Sequence, residues 1–438
     1  MTGDEPGPRS PHPPDPPPVT SSGHRGAGAR DVLAGGRPDR ADAWTLAAAV
    51  LAGSQAVVVL IVSKTALSDD DFTPVAQLWA MWAVVAASLN FGCQQWAAVR
   101  PAGVSMLFEP SGRRLATALL AVSVGVTASA YSVRVTLFDD ASPWWPLVAG
   151  LLPIGTALVG LERGELARLG EHGWLATVIA VENTLRLLAT LALAALGAPA
   201  PWYGAALLLG FATAFLRRPG VRHTARVELR PLVVASTAGL SSHALLFGSP
   251  ILLSLSGGSN DDVVGLFVVL AAVRAPFVLL QGLVPRIAVR FGARPDRLVA
   301  STRIIVGVGL VAASLAAVTG TVLGDPVVGS LFDVRGEIPR AVYGLLGAAA
   351  CLGVTVTVVT VRLVAASHVR PLVLAWSLPL LATTVAVLTG SLAGPTALSL
   401  WIVTAHVVVV AVVVVLTGVA GGRPPLPRAV PDSSTAAG

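Results

Sequence analysis

The chain has 438 residues, 54% of them hydrophobic and only 12% charged, with a mean hydropathy of +0.74. That balance excludes an ordinary soluble domain and points to an all-α polytopic membrane protein. The net charge of +6 rests on thirty basic residues, of which Lys64 alone is a lysine, and two cysteines, Cys93 and Cys351, each inside an apolar run, suggest neither a disulfide framework nor a zinc site.

Residues 1–43, rich in Pro, Gly and charge (PGPRSPHPPDPPP), lack an apolar core and are expected to form a disordered cytoplasmic tail instead of a cleaved leader. Twelve apolar segments follow, each about the 20 residues that cross a hydrocarbon layer. They run from about Trp44 to Ser63, Pro74 to Val99, Arg114 to Leu137, Pro143 to Leu161, Trp174 to Leu196 and Pro201 to Leu216. The second six are Pro231 to Leu255, Val263 to Val289, Thr302 to Leu323, Ala341 to Val361, Pro371 to Leu392 and Thr396 to Val419. The last two are divided by Leu392-Ala393-Gly394-Pro395, a turn signal. Residues 422–438 read as a second disordered tail.

Arginines collect in alternate connections: Arg100, Arg113 and Arg114; Arg163 and Arg168; Arg217, Arg218, Arg222, Arg226 and Arg230; Arg290, Arg294 and Arg297; Arg362 and Arg370. The opposite connections carry Lys64, Arg335 and Arg340 with Asp69 to Asp71, Asp139, Asp140, Asp261 and Asp262. Because basic residues are retained inside, both termini are expected to be cytoplasmic, in the plasma or inner membrane of the cell. Basic residues scattered among short loops, with no accompanying fold motif, leave no nucleic-acid partner.

Two stretches repeat. Ser68-Asp69-Asp70-Asp71 opens a segment ending Ala97-Ala98-Val99-Arg100, and Ser259-Asn260-Asp261-Asp262 opens one ending Ile287-Ala288-Val289-Arg290. In the preceding segments Gly53-Ser54-Gln55-Ala56 matches Ser241-Ser242-His243-Ala244. A pattern restarting after six helices keeps its orientation, so the expected architecture is two pseudo-symmetric six-helix bundles, residues 44–220 and 221–421, around a central cleft.

Three passages carry a family resemblance: SKTALSDDDFTPVAQLWAMWAVVAASLNFGCQQWAAVR, LERGELARLGEHGWLATVIAVENTLRLLATLALAALG, and the eighth segment with VRAPFVLL and LVPRIAVRF. In these the chain resembles the polysaccharide repeat-unit flippases of the multidrug/oligosaccharidyl-lipid/polysaccharide exporter superfamily, which also holds the lipid II flippases and the MATE drug exporters. The resemblance implies a MATE-like fold, alternating access and a lipid-linked oligosaccharide as cargo.

The chemistry inside the spans fits that expectation. Arg274 falls about eleven residues into its helix, or about 16 Å at 1.5 Å per residue, near the bilayer centre, where a charge costs at least about 2.5 kcal/mol and therefore seeks a wet cleft or a partner. Arg186 reaches the same depth in the fifth span. Two central guanidinium groups suit a pyrophosphate, which they clamp with paired hydrogen bonds. Glu182, one turn from Arg186, is either a coupling carboxylate or a structural neutraliser. Gln55, Ser54, His243 and Ser242 either contact sugar hydroxyls or pack between helices, and His406 reads as a packing residue. Pro276, Pro285 and Pro250 are expected hinges. The outer aspartates are expected to cap helices.

No catalytic constellation, phosphate loop, metal-ligand spacing or cofactor motif is present in the sequence, so the chain reads as a carrier and not an enzyme. The expectation is a flippase moving polyprenyl-pyrophosphate-linked oligosaccharide from the inner to the outer leaflet, its partners the lipid bilayer, the lipid-linked sugar and cell-wall polysaccharide enzymes. The alternatives are a drug or metabolite exporter of the same superfamily, a membrane-embedded polysaccharide polymerase or glycosyl transferase, and a scaffold for cell-wall enzymes.

Overall fold

A computed structural model of the chain describes residues 40–99, 110–140, 142–216, 230–274, 298–334, 338–365 and 370–420, with scattered positions between 276 and 287. Every described element is a helix, and each of the twelve expected spans meets one. Eight helices are long and apolar enough to cross a membrane, and three shorter apolar ones accompany them. The protein is an all-α, multi-pass membrane protein.

The first span is α1 (Arg40–Ala66). The second joins α2 (Asp69–Val85), a π-helical turn (Ala86–Asn90) and α3 (Phe91–Val99). The third is α4 (Pro110–Ser132) with the short α5 (Arg134–Phe138), the fourth α6 (Trp144–Arg168) and the fifth α7 (His172–Ala195). The sixth passes from α8 (Ala200–Leu209) into a 3-10 stretch (Gly210–Phe215). In the second half, α9 (Arg230–Phe247) and α10 (Ser249–Leu255) form the seventh span and α11 (Asn260–Val273) starts the eighth. The ninth comprises α12 (Leu298–Gly324), a π-helical turn (Asp325–Gly329) and α13 (Ser330–Phe332), and the last three are α14 (Arg340–Ala365), α15 (Arg370–Leu388) and α16 (Pro395–Ala420).

The duplication is visible in detail. Ser68 and Ser259 cap α2 and α11 alike: each hydroxyl accepts from the third backbone N–H, of Asp71 or Asp262, at 3.2 Å and donates to that aspartate's carboxylate at 2.8 Å. Hydroxyl caps with acidic first turns satisfy orphan donors and the helix dipole together. A further pair emerges at the ends of the third and ninth spans, where Leu137-Phe138-Asp139 and Leu331-Phe332-Asp333 each bury the Phe and place the Asp in the left-handed region, at φ 50° and 56°.

Close helix approach depends on small residues, as membrane packing requires. A Cβ on Gly320 of α12 would fall 2.6 Å from the Tyr343 carbonyl of α14, and one on Gly150 of α6 would fall 1.8 Å from the Thr127 hydroxyl of α4. The seventh span breaks at Gly248. Pro250 has no N–H for the Leu246 carbonyl, and the Ser249 hydroxyl takes that bond instead at 2.7 Å, so Pro250 is seated at a satisfied kink.

Candidate functional site

The two halves meet along α2 and its continuation. At the end of the bundle bearing the aspartates, Phe72 packs edge-on against Phe267 with centroids 6.0 Å apart. Gln77 donates to Ser254 at 3.1 Å, and Asn260 donates to Asp139 at 2.9 Å. At the arginine end the α3 and α9 backbones nearly touch, since a Cβ on Gly92 would lie 2.8 Å from the Ser236 nitrogen. Phe91 there packs with Leu280, Val284 and Val361. The two halves therefore touch at both ends of the seam, with a small apolar cavity between them lined by Leu60, Trp79, Ala83, Phe247, Leu270 and Arg274 and a hollow of about 430 Å³ at the aspartate end lined by Asp69, Asp261, Asp262 and Ile338.

The predicted charges lie beside that cavity. Arg186, 1% exposed, pairs through Nη1 with Glu182 Oε1 at 2.7 Å, and its Nε donates to the Leu207 carbonyl at 2.9 Å. Leu207 lies where α8 gives way to the 3-10 stretch, so its carbonyl is available. Gly210 leaves room for the guanidinium, because a Cβ there would fall 2.4 Å from Arg186 Cζ. The other Glu182 oxygen accepts from Arg163 Nη2, so one buried carboxylate serves two cations, an arrangement that offsets the cost of burying charge.

Arg274 ends α11 and is 9% exposed. Its guanidinium lies over the Trp82 ring at 4.4 Å and near Phe247 at 5.5 Å. Arg186 lies over the same Trp82 ring at 4.8 Å. The two cations, one from each half, thus share one indole. The register that pairs Asp71 with Asp262 also pairs Ala83 with Arg274 and Trp82 with Val273, so the contact joins equivalent stretches of the two halves.

His243 joins this group through Phe247, stacked at 5.7 Å, and is buried with Nδ1 on the Gly239 carbonyl at 2.8 Å and Nε2 3.3 Å from the Thr357 hydroxyl. Gln55 donates to Thr184 of α7 at 2.9 Å, two residues from Arg186, and its Oε1 is buried without a hydrogen-bond partner. Ser54 faces outward and donates to Val50 of its own helix. The Ser242 side chain and Pro285 lie outside the described residues. Pro276 is exposed, just past the end of α11. His406 is buried against Trp376 with Nδ1 on the Ile402 carbonyl, as its packing role requires.

Two expectations need correction. The fourth span does not stop at Leu161: α6 runs to Arg168 and buries Glu162, Arg163 and Glu165 in its last two turns. Arg362, assigned to a loop, is a buried α14 residue whose Nε donates to Ser301 at 3.2 Å. Both were hidden because hydropathy ends a span at its first charge, whereas α6 and α14 continue past it. Arg134 opens the short α5, its guanidinium over the Tyr131 ring at 4.2 Å. Trp82, Phe247 and Gly210 went unread because aromatic residues and glycines are common in such spans. Among the described residues no group of three or more His, Cys, Asp or Glu side chains is placed to hold a metal ion.

No protein-family model matches the chain, and no curated protein does either. Solved structures do. An inward-facing multidrug resistance MATE family transporter of the MOP superfamily aligns with a TM-score of 0.57 at 14% identity over 85% of this chain and 94% of its own. A MOP superfamily transporter from Pyrococcus furiosus aligns with a TM-score of 0.58 at 15% identity, over 88% and 96%. A MATE structure in the straight conformation gives 0.52 at 13% identity, over 88% and 97%. The fold is MATE-like. At such identities the agreement concerns the path of the backbone, and the MATE-like helices here carry their own set of midplane side chains.

Proposed function

We propose that this protein is a membrane carrier that moves a polyprenyl-pyrophosphate-linked oligosaccharide from one leaflet to the other. The observation that carries the reading is the meeting of Arg186 and Arg274, one from each half, on Trp82. Guanidinium groups on both sides of a parting seam suit an anionic headgroup, which bidentate hydrogen bonds hold while the lipid tail stays in the bilayer. The headgroup enters when one end opens, the site closes around it, and the other end releases it, with rocking of the two halves at the contacts around Gly92 and Phe72. Glu182, which pairs with both Arg163 and Arg186, holds Arg186 in place, and its second role is to take up a coupling proton or ion when the arginines engage the ligand. Gln55 and His243 flank the site as sugar contacts. The solved MOP transporter from Pyrococcus furiosus is described as having a binding pocket of reversed polarity that suggests a different function, so pocket charge differs among proteins of this fold.

A second reading, export of a drug or metabolite, draws on the buried carboxylates Glu165 and Glu182, which suit a cationic cargo if their arginine partners let go. Reconstitution in liposomes with a fluorescent polyprenyl-pyrophosphate sugar tests the first reading. Wild type is expected to translocate the lipid and Arg274→Ala to lose most of the rate; equal rates would remove Arg274 from the mechanism, and no translocation by wild type would favour export of another cargo.

A further inference from the structure

Trp82 is out of place for a residue that only fills space. It is 8% exposed, its Nε1–H is buried without a hydrogen-bond partner, and two guanidinium groups lie over its ring. A buried indole ordinarily finds an acceptor for its N–H, and leaving a buried donor unmade is costly. The cations are equally under-used. Arg186 Nη2 is buried without a hydrogen-bond partner, and the contacts of Arg274 among the described residues are with the faces of Trp82 and Phe247. Bare guanidinium donors beside an indole with an idle N–H make a site that is electrostatically satisfied by the ring's π-face and unsatisfied in hydrogen bonds. An anion with several acceptor oxygens answers all of these donors at once.

Geometry makes the three groups one site. Both Cζ atoms lie within 5 Å of the Trp82 ring centre, so an anionic group the size of a pyrophosphate reaches both once the ring moves. A small cavity bounded by Trp79, Ala83, Leu270 and Arg274 adjoins the site, and the ring gains room to turn when the two halves part. Neighbouring Trp79 already meets Trp82 edge-on at 5.2 Å.

We propose that Trp82 is an internal stand-in for the ligand: its ring occupies Arg186 and Arg274 while the carrier is empty and closed, and the anionic headgroup displaces it, after which Nε1–H joins the guanidinium donors. This rests on the pyrophosphate reading of the site and adds the residue that sets its affinity. The ring lets the empty carrier close over two cations that would otherwise be buried facing each other, which an alternating carrier needs for its return step. Removing the ring face tightens ligand binding and slows the empty return.

The test is binding of geranylgeranyl pyrophosphate to purified, monodisperse protein. Trp82→Leu, which keeps apolar bulk without a π-face, is expected to bind about tenfold tighter than wild type, equivalent to about 1.4 kcal/mol, with Trp82→Phe between the two because a phenyl face still attracts cations, though less. The gain is expected to vanish in the Arg274→Ala background. Equal or weaker binding by Trp82→Leu would overturn the proposal. A second readout is independent of the ligand. With Cys93 and Cys351 replaced by alanine and a cysteine placed at Ala271, a cavity-lining position, a water-soluble thiol reagent is expected to react at least severalfold faster in Trp82→Leu than with Trp82 present. An unchanged rate would overturn the stand-in role even if no variant bound the pyrophosphate, an outcome that would by itself sink only the cargo assignment.

Discussion

At the residue scale the site is a problem in holding charge inside a membrane. Glu182 solves part of it by serving Arg163 and Arg186 together. Replacing it with Gln keeps the shape and strands two buried cations, and removing one partner of a buried pair costs about 3–5 kcal/mol; a clearly lowered thermal unfolding midpoint in detergent is expected, and an unchanged one would show that the pair is solvated. Arg274 differs, since its described contacts are aromatic. Arg274→Lys keeps the charge and loses the planar fork, so translocation is expected to fall by about tenfold or more without loss of folding; full activity would mean that a point charge suffices. Arg186 and Arg274 were legible in the sequence because a cation in an apolar run stands out. Arg163 was not, because it follows Glu162 at the end of a run and looks like the start of a loop. Trp82 was hidden as one of several aromatics, although the duplicated register that places Ala83 opposite Arg274 was already available in the sequence.

At the element scale most helices were readable, since a span is fixed by length and apolarity, and their ends were less so. Hydropathy stops a span at the first charge, whereas α6 continues for two turns because Glu165 pairs with Arg168 and Arg163 with Glu182. The π-helical turns at Ala86–Asn90 and Asp325–Gly329 and the 3-10 stretch at Gly210–Phe215 have no pattern in hydropathy, yet one of them presents Leu207 and Gly210 to Arg186. The repeated caps are testable. Ser68→Ala and Ser259→Ala are each expected to cost about 1 kcal/mol, read as similar shifts in the thermal unfolding midpoint; a large difference between them would show that the two halves do not use the cap alike.

At the scale of the whole molecule, contacts between the two halves flank the paired cations at both ends of the seam. Gly92 is what allows the arginine end to shut, because any side chain there meets the α9 backbone. Gly92→Leu is expected to hold that end apart, so that a cysteine at Ser236 in a chain otherwise free of cysteine reacts faster with a water-soluble thiol reagent; an unchanged rate would mean the halves are not pressed together at this point. The twofold plan was visible in the paired Ser-Asp stretches, and the further Leu-Phe-Asp pair appears once the helix ends are placed. The contacts between the halves were not visible, because they depend on which faces of α2, α3 and α9 meet, and in a chain this apolar every face is a candidate.

The central claim is that the midplane site selects negative charge. The most direct measurement offers the reconstituted protein, in the same vesicles, a fluorescent polyprenyl-pyrophosphate sugar and a fluorescent lipophilic cation. Movement of the anionic lipid alone, lost when Arg186 and Arg274 are both replaced by Ala, is the expected result; movement of the cation with the anionic lipid left in place would contradict it.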